Sequence, residues 1–115
     1  MIKLTEWDVN QLFDIIWDKS EKKWYIITED FIKESDAYND YDYDDDYDTA
    51  EEDFKNIFLL IGYKIKYEKD GYHKTDSQMV EYTITLENKD GIKTHISTEM
   101  CLMCGWNFDG DVEIK

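Results

Sequence analysis

The chain has 115 residues, the size of one ordinary domain, and its 42% hydrophobic residues predict that it folds around a core. Twenty-eight acidic residues face thirteen lysines, which gives a net charge of -15. This charge argues against direct binding to nucleic acid or to an anionic membrane, because both need a basic face. Any partner is therefore expected to be basic.

The beginning of the sequence lacks the apolar centre of a signal peptide, and no apolar run approaches the roughly 18 residues of a membrane span. We therefore expect a cytoplasmic protein whose two cysteines are reduced.

The first predicted helix begins after Thr5. Thr5 is a good cap, and Asp8 three residues later can reach back to it, in a short form of the capping box. Apolar residues then recur at helical spacing, at Val9, Leu12, Phe13, Ile16 and Trp17. The next apolar run, KWYIIT from Lys23 to Thr28, predicts a strand, and Thr28 can cap a short helix after it.

The second main helix is predicted from Thr49, with Glu52 completing a capping box. Its predicted apolar face consists of Phe54, Ile57, Phe58 and Ile61, and Gly62 stands where a helix usually ends. Acidic residues in its first turn are favoured by the positive end of the helix dipole, so part of the acidity has a structural explanation.

The rest of the chain predicts antiparallel strands. YKIKYEK places Tyr63, Ile65 and Tyr67 on one face and two lysines on the other, and KDGY at 69–72 predicts a turn. MVEYTITL and GIKTHIS flank ENKDG, a strong hairpin signal, and the tail NFDGDVEIK predicts an edge strand. The expected architecture is α+β, with two main helices packed on a small, mostly antiparallel β-sheet of three to five strands, in one domain over residues 1–115.

The acidic segment, residues 36–53, contains ten carboxylates and no positive charge. In an extended chain, residues two apart lie on the same side, roughly 6.5 to 7 Å from each other. Even positions from 40 to 48 are all aspartate, whereas odd positions are mostly tyrosine, with Asp45 the exception. The pattern favours a binding edge for a groove lined by lysine and arginine over a merely solvated loop. The predicted partner-binding residues are Asp36, Asp40, Tyr41, Asp42, Tyr43, Asp44, Asp45, Asp46, Tyr47, Asp48, Glu51 and Glu52.

Two metal sites are weaker alternatives, and no cofactor is expected. The run from Asp40 matches the acidic positions of an EF-hand loop, but position 6 is Asp45 in place of glycine; the calcium set is Asp40, Asp42, Asp44, Asp48 and Glu51. The zinc set is His73, His95, Cys101 and Cys104, although its spacing is not that of a zinc finger and two small buried hydrophobes explain the cysteines better. No catalytic motif is present in the sequence, so an enzyme is not expected.

In charge, size and the local Asp/Glu run, the chain resembles the small acidic inhibitors made by phages and mobile elements, including anti-CRISPR and DNA-mimicking anti-restriction proteins. The resemblance is compositional and includes no diagnostic motif. It implies a stoichiometric binder in the host cytoplasm that blocks the basic groove of a nuclease, such as the channel or PAM-reading site of a CRISPR effector. The alternatives are an immunity protein that neutralises a toxin nuclease and a calcium-binding module that uses residues 40–51.

Overall fold

A computed structural model describes residues 1–17, 22–39, 52, 54–72, 78–103, 105–107 and 110–115. Over these ranges the fold is α+β, as predicted, with most helices in the first half of the chain and most strands in the second. The elements in chain order are β1 (Ile2–Leu4), α1 (Glu6–Trp17), β2 (Tyr25–Ile26), α2 (Glu29–Lys33), α3 (Asp36–Asn39), α4 (Lys55–Phe58), β3 (Lys64–Tyr72), β4 (Met79–Glu87), β5 (Lys93–Cys101), β6 (Gly105–Asn107) and β7 (Val112–Ile114).

The main sheet has the strand order β2-β3-β4-β5-β6, and each neighbouring pair is antiparallel. The predicted hairpin is confirmed: β4 and β5 pair from Met79 opposite Cys101 to Glu87 opposite Lys93. Its loop is held by Asn88, whose side-chain oxygen accepts hydrogen bonds from the backbone N–H groups of Asp90 and Ile92. An Asx-type contact of this kind is why asparagine and Asp-Gly favour such loops.

A second, smaller sheet pairs β1 with β7. The strand predicted in the tail is present as β7, and it pairs with β1 in place of a strand of the main sheet. Leu4 and Ile114 both lie fully in the core, so each strand of the small sheet contributes a buried apolar side chain.

Helix α1 begins at the predicted capping box. The Thr5 N–H donates to Asp8 Oδ2 at 2.8 Å, and the Asp8 N–H donates to Thr5 Oγ1 at 3.2 Å. The apolar residues predicted for its inner face are buried, except that Trp17 remains substantially exposed at the last turn. There the Tyr67 hydroxyl donates to the carbonyl of Trp17 at 3.1 Å, which satisfies one of the terminal acceptors of the helix.

The strand predicted from Lys23 to Thr28 shortens to β2. Lys22, just before this stretch, has a φ of 62°, a left-handed conformation, and its N–H donates to the Tyr67 carbonyl at 3.1 Å. At the other end Thr28 caps α2, as expected, and its Oγ1 accepts a hydrogen bond from the N–H of Phe31 at 3.0 Å.

In place of two main helices, the described residues contain four helical segments, and α1 is the longest of them at twelve residues. Thr49, the predicted cap of the second helix, lies outside the described residues, and α4 begins at Lys55. After α4, backbone N–H groups bond to carbonyls three residues back, as Leu60 does to Ile57. That spacing aligns Leu60 with the buried residues, so Ile61 is 41% exposed and its predicted place on the apolar face was wrong.

The turn predicted at KDGY is instead part of β3, which continues to Tyr72. The pairing with β4 shifts register between Lys69 and Gly71, and Gly71 has a φ of 141°. The glycine therefore accommodates a β-bulge, which lets the strand continue past a residue pattern that is typical of a turn.

Among the described residues, the buried side chains of the main sheet lie on the face that packs with the helices, and we call the opposite face the open face. Alternate residues of β3, β4 and β5, including Lys64, Lys66, Thr83, Glu87 and Lys93, project from this open face. Within the described residues, no helix combines the length and the apolar character that a membrane crossing requires.

Candidate functional site

The two ends of the acidic run are anchored side by side in the core. Tyr38 and Phe54, which are 2% and 0% exposed, pack with their ring centroids 5.1 Å apart. Trp7 of α1 meets Phe54 edge to face at 5.6 Å. We call these three residues the aromatic clamp.

Hydrogen bonds from nearby residues position each end of the acidic run at the clamp. The side-chain oxygen of Ser35 accepts a hydrogen bond from the N–H of Tyr38 at 3.0 Å, so Ser35 caps the short helix α3 and orients Tyr38 inward. On the other side, Asn56 of α4 donates to Asp8 Oδ2 at 2.9 Å. Asp8 is 3% exposed and also accepts from Thr5, so one buried carboxylate ties the start of α1 to the helix that follows the acidic run.

The clamp has a direct geometric consequence for the charge between its two ends. The fifteen residues from 39 to 53 include nine carboxylates and no lysine. Because Tyr38 and Phe54 are in contact, the two ends of this run start from one place in the fold.

Most of the predicted partner-binding residues lie outside the described residues, namely Asp40, Tyr41, Asp42, Tyr43, Asp44, Asp45, Asp46, Tyr47, Asp48 and Glu51. Of the remaining two, Asp36 is the first residue of α3, and Glu52 is exposed. All five residues of the calcium alternative also lie outside the described ranges.

The fold does not bring the residues of the predicted zinc site together. His73 and Cys104 lie outside the described residues, while His95 and Cys101 are both in β5. Six residues of extended strand separate these two by about 20 Å, so they cannot both bind one ion at the roughly 2.0–2.3 Å of a zinc bond. His95 instead lies beside Thr85, with Nδ1 3.1 Å from Oγ1. Among the described residues, no group of three or more His, Cys, Asp or Glu side chains could hold a metal ion.

A second surface, which the sequence did not reveal, lies on the open face of the sheet. Here Trp24, which is 36% exposed, has Lys66 Nζ at 4.8 Å and Lys93 Nζ at 5.8 Å from its ring. Both ammonium groups are within the range of a cation–π contact. Together with Ile26 and Lys64, these residues form what we call the lysine–tryptophan patch.

The sheet register assembles this patch from separate segments. Ile26 is opposite Lys64, Lys64 is opposite Glu87, and Glu87 is opposite Lys93, in one row across four strands. The row borders a shallow groove of about 390 Å³ whose walls also include Trp24. Its only sequence signal was the lysine face of YKIKYEK, and nothing in the sequence indicated which residues would join it.

The charges beside the patch change sign along β3. Lys66 Nζ lies 3.0 Å from Glu68 Oε1, and this hydrogen bond and charge hold the pKa of Glu68 below its usual value. Further along the same face, Glu81 and Glu99 are directly opposite each other. The open face is therefore cationic near the β4–β5 hairpin and anionic toward its other end.

Comparisons with known proteins found no protein family, no curated protein and no solved structure that matches the chain.

Proposed function

We propose that the protein is an acidic inhibitor that binds the basic nucleic-acid-binding surface of a nuclease. In this proposal it is a phage-encoded anti-CRISPR or anti-restriction protein that acts by nucleic-acid mimicry or by steric block. The acidic segment forms the contact, and the partner is a protein and not a nucleic acid. The observation that supports this function best is the aromatic clamp, which fixes both ends of a run with nine carboxylates.

The clamp favours binding for two physical reasons. A segment with both ends fixed has less conformational entropy to lose when it binds than one with a free end. In addition, concentrated negative charge steers a basic partner toward the segment and accelerates association. Both effects act on a lysine- and arginine-lined groove, which is the surface that a nuclease presents to its nucleic acid.

The test is inhibition of DNA cleavage by a panel of purified Cas9-type and restriction nucleases. The test variant replaces Asp40, Asp42, Asp44, Asp46 and Asp48 with asparagine. We expect the wild-type protein to inhibit at least one nuclease stoichiometrically and the variant to lose that inhibition while its circular dichroism spectrum is unchanged. Inhibition should also weaken as salt is raised, because screening weakens charge steering.

A control variant separates the position of the charge from its amount. Five acidic residues outside the segment, namely Asp30, Glu34, Glu81, Asp90 and Glu113, are changed to the matching amides, which shifts the net charge equally. The control should inhibit as the wild type does. If both variants lose inhibition equally, or if the segment variant keeps it, the acidic segment is not the contact.

A further inference from the structure

The lysine–tryptophan patch combines a flat apolar surface with cations in one groove. Trp24 and Ile26 supply the apolar surface, and Ile26 is 59% exposed. Lys64 and Lys93 line the same groove on either side of Glu87. Neither of these two lysines forms an ion pair with another described residue, so both ammonium groups are available to an anion.

Lysine and tryptophan recognise different parts of one class of ligand. An ammonium group binds a phosphate as a point charge, and an aromatic ring stacks on a nucleobase, because every base has a π-face. The groove of about 390 Å³ lies within the range of small-molecule sites, which is roughly 300–1,000 Å³. We propose that the patch binds a nucleotide, with its base against Trp24 and its phosphates between Lys64 and Lys93.

The positions of the lysines fit a phosphate group. Lys64 and Lys93 are two strands apart in one row, so their Cα atoms are about 10 Å from each other, and flexible four-carbon side chains can span that gap. Lys66 and Lys93 lie over the Trp24 ring. A cation–π contact at an exposed site is weaker than a charge-assisted hydrogen bond to phosphate, so the ligand can draw these cations from the ring and stack its base there.

The acidic groups around the patch narrow the choice of ligand. Glu87 lies between the two lysines and repels a bare phosphate, but its carboxylate can accept hydrogen bonds from the sugar hydroxyls of a nucleotide. A nucleic-acid strand would extend beyond the patch, toward the end of the face where Glu81 is opposite Glu99, and the net charge of -15 also repels it. Both features favour a single nucleotide over inorganic phosphate and over a polymer.

The experiment is calorimetric titration of the full chain with adenosine 5′-diphosphate, inorganic pyrophosphate and adenosine as separate probes. The site does not depend on the proposed inhibition of a nuclease, so the failure of one leaves the other standing. We expect the nucleotide to bind about tenfold or more tightly than either other probe, because only the nucleotide reaches both the lysines and the ring. Pyrophosphate that binds as tightly as the nucleotide, or a nucleotide that does not bind at millimolar concentration, would overturn the proposal.

Two-dimensional NMR locates the site in the wild-type chain without any substitution. Adding the nucleotide should shift the indole N–H of Trp24 and the backbone N–H groups of Lys64 and Lys93, whereas the indole of Trp7, in α1, should not shift. Stacking on the ring should also shift the protons of the base. Shifts centred away from the patch would contradict the assignment.

Two variants separate the lysines from the ring. Lys64→Gln combined with Lys93→Gln should weaken nucleotide binding about tenfold or more and leave adenosine binding unchanged. Trp24→Ala should weaken the binding of nucleotide and adenosine but not of pyrophosphate, and Trp24→Phe should restore most of the affinity. The control, Lys3→Gln combined with Lys55→Gln, changes the net charge equally outside the patch and should bind as the wild type does.

Three outcomes would count against this site. Equal loss of affinity in the control would assign binding to general charge. A fluorescent polyglutamate peptide that binds more tightly than the nucleotide would assign the patch to an acidic protein. A fluorescent single-stranded oligonucleotide that binds more tightly would assign it to nucleic acid.

Discussion

The aromatic clamp and the lysine–tryptophan patch hold charged groups in opposite ways. At the clamp, two nearly inaccessible rings pack in the core, and the charges lie in the segment between them. At the patch, the charged groups themselves make the contacts, because long lysine side chains lie over a partly exposed ring. The clamp therefore depends on burial and the patch on electrostatics, which salt screens.

This difference sets where the molecule can tolerate change. Loss of a core ring leaves a cavity, and the cost extends to the whole fold. Loss of a surface cation removes a contact that is worth little for stability, although it can decide which partner binds. Substitutions at the clamp should therefore affect stability first, and substitutions at the patch should affect binding first.

The largest expected effect is that of Phe54→Ala. The ring is fully buried and contacts both Tyr38 and Trp7, so its loss should lower the free energy of unfolding by about 3–5 kcal/mol. Urea unfolding followed by circular dichroism measures this free energy of unfolding. Phe58→Ala is the matched control, because Phe58 is only partly buried. A cost no greater than that of the control would mean that the clamp does not stabilise the fold.

A smaller effect is expected for Asp8→Ala. This buried carboxylate accepts from the backbone and hydroxyl of Thr5 and from Asn56, and its removal leaves those donors unsatisfied. The expected cost is about 1–3 kcal/mol. A double-mutant cycle with Asn56→Ala should give a non-zero coupling energy between the two residues. Strict additivity would show that the Asp8–Asn56 contact does not tie α1 to α4.

At the patch, Lys66→Gln should cost only about 0.5–1 kcal/mol through the lost cation–π contact with Trp24. A more direct readout is the pKa of Glu68, which Lys66 holds down by a hydrogen bond and by its charge. The pKa, measured by NMR titration, should rise toward its usual value in this variant. Lys89→Gln, with the same change in net charge, should leave the pKa of Glu68 below its usual value, as in the wild type.

The smallest effect concerns Asp14, whose pKa is raised above 3.8 by partial burial. Because the folded state disfavours the charged form, stability is lost as the pH rises through the folded pKa. Asp14→Asn should therefore stabilise the protein at neutral pH by less than about 1 kcal/mol, since a half-exposed carboxyl is well solvated. The gain should vanish below pH 3.8, where both states are protonated. Asp90→Asn changes the net charge equally, and an identical gain there would assign the effect to general repulsion.

Features that depend on neighbouring residues in the sequence could be predicted. The Thr5–Asp8 capping box, the Thr28 cap and the β4–β5 hairpin are set by short-range hydrogen bonds, and the structure contains all three. Features that depend on distant residues could not. Gly71 accommodates a bulge where a turn was predicted, because strand pairing with β4 outweighs the local turn preference.

The same distinction between neighbouring and distant residues applies to the two candidate surfaces. The acidic segment was visible because its charges are consecutive in the sequence. The lysine–tryptophan patch was not, because Trp24, Lys64 and Lys93 are brought together only by the register of the strands. The clamp was hidden for a related reason: Tyr38 and Phe54 stand at the two limits of the acidic run, and the sequence does not indicate that they meet.

The clamp also has a consequence for how this protein can diversify. Tyr38 and Phe54 hold two points of the chain in contact, and the closure entropy of any flexible insertion between two such points rises by only about 0.6 kcal/mol for each doubling of its length. A flexible insertion between these two points would therefore cost the domain little closure entropy. A protein engineer could therefore graft a different recognition sequence between the two rings.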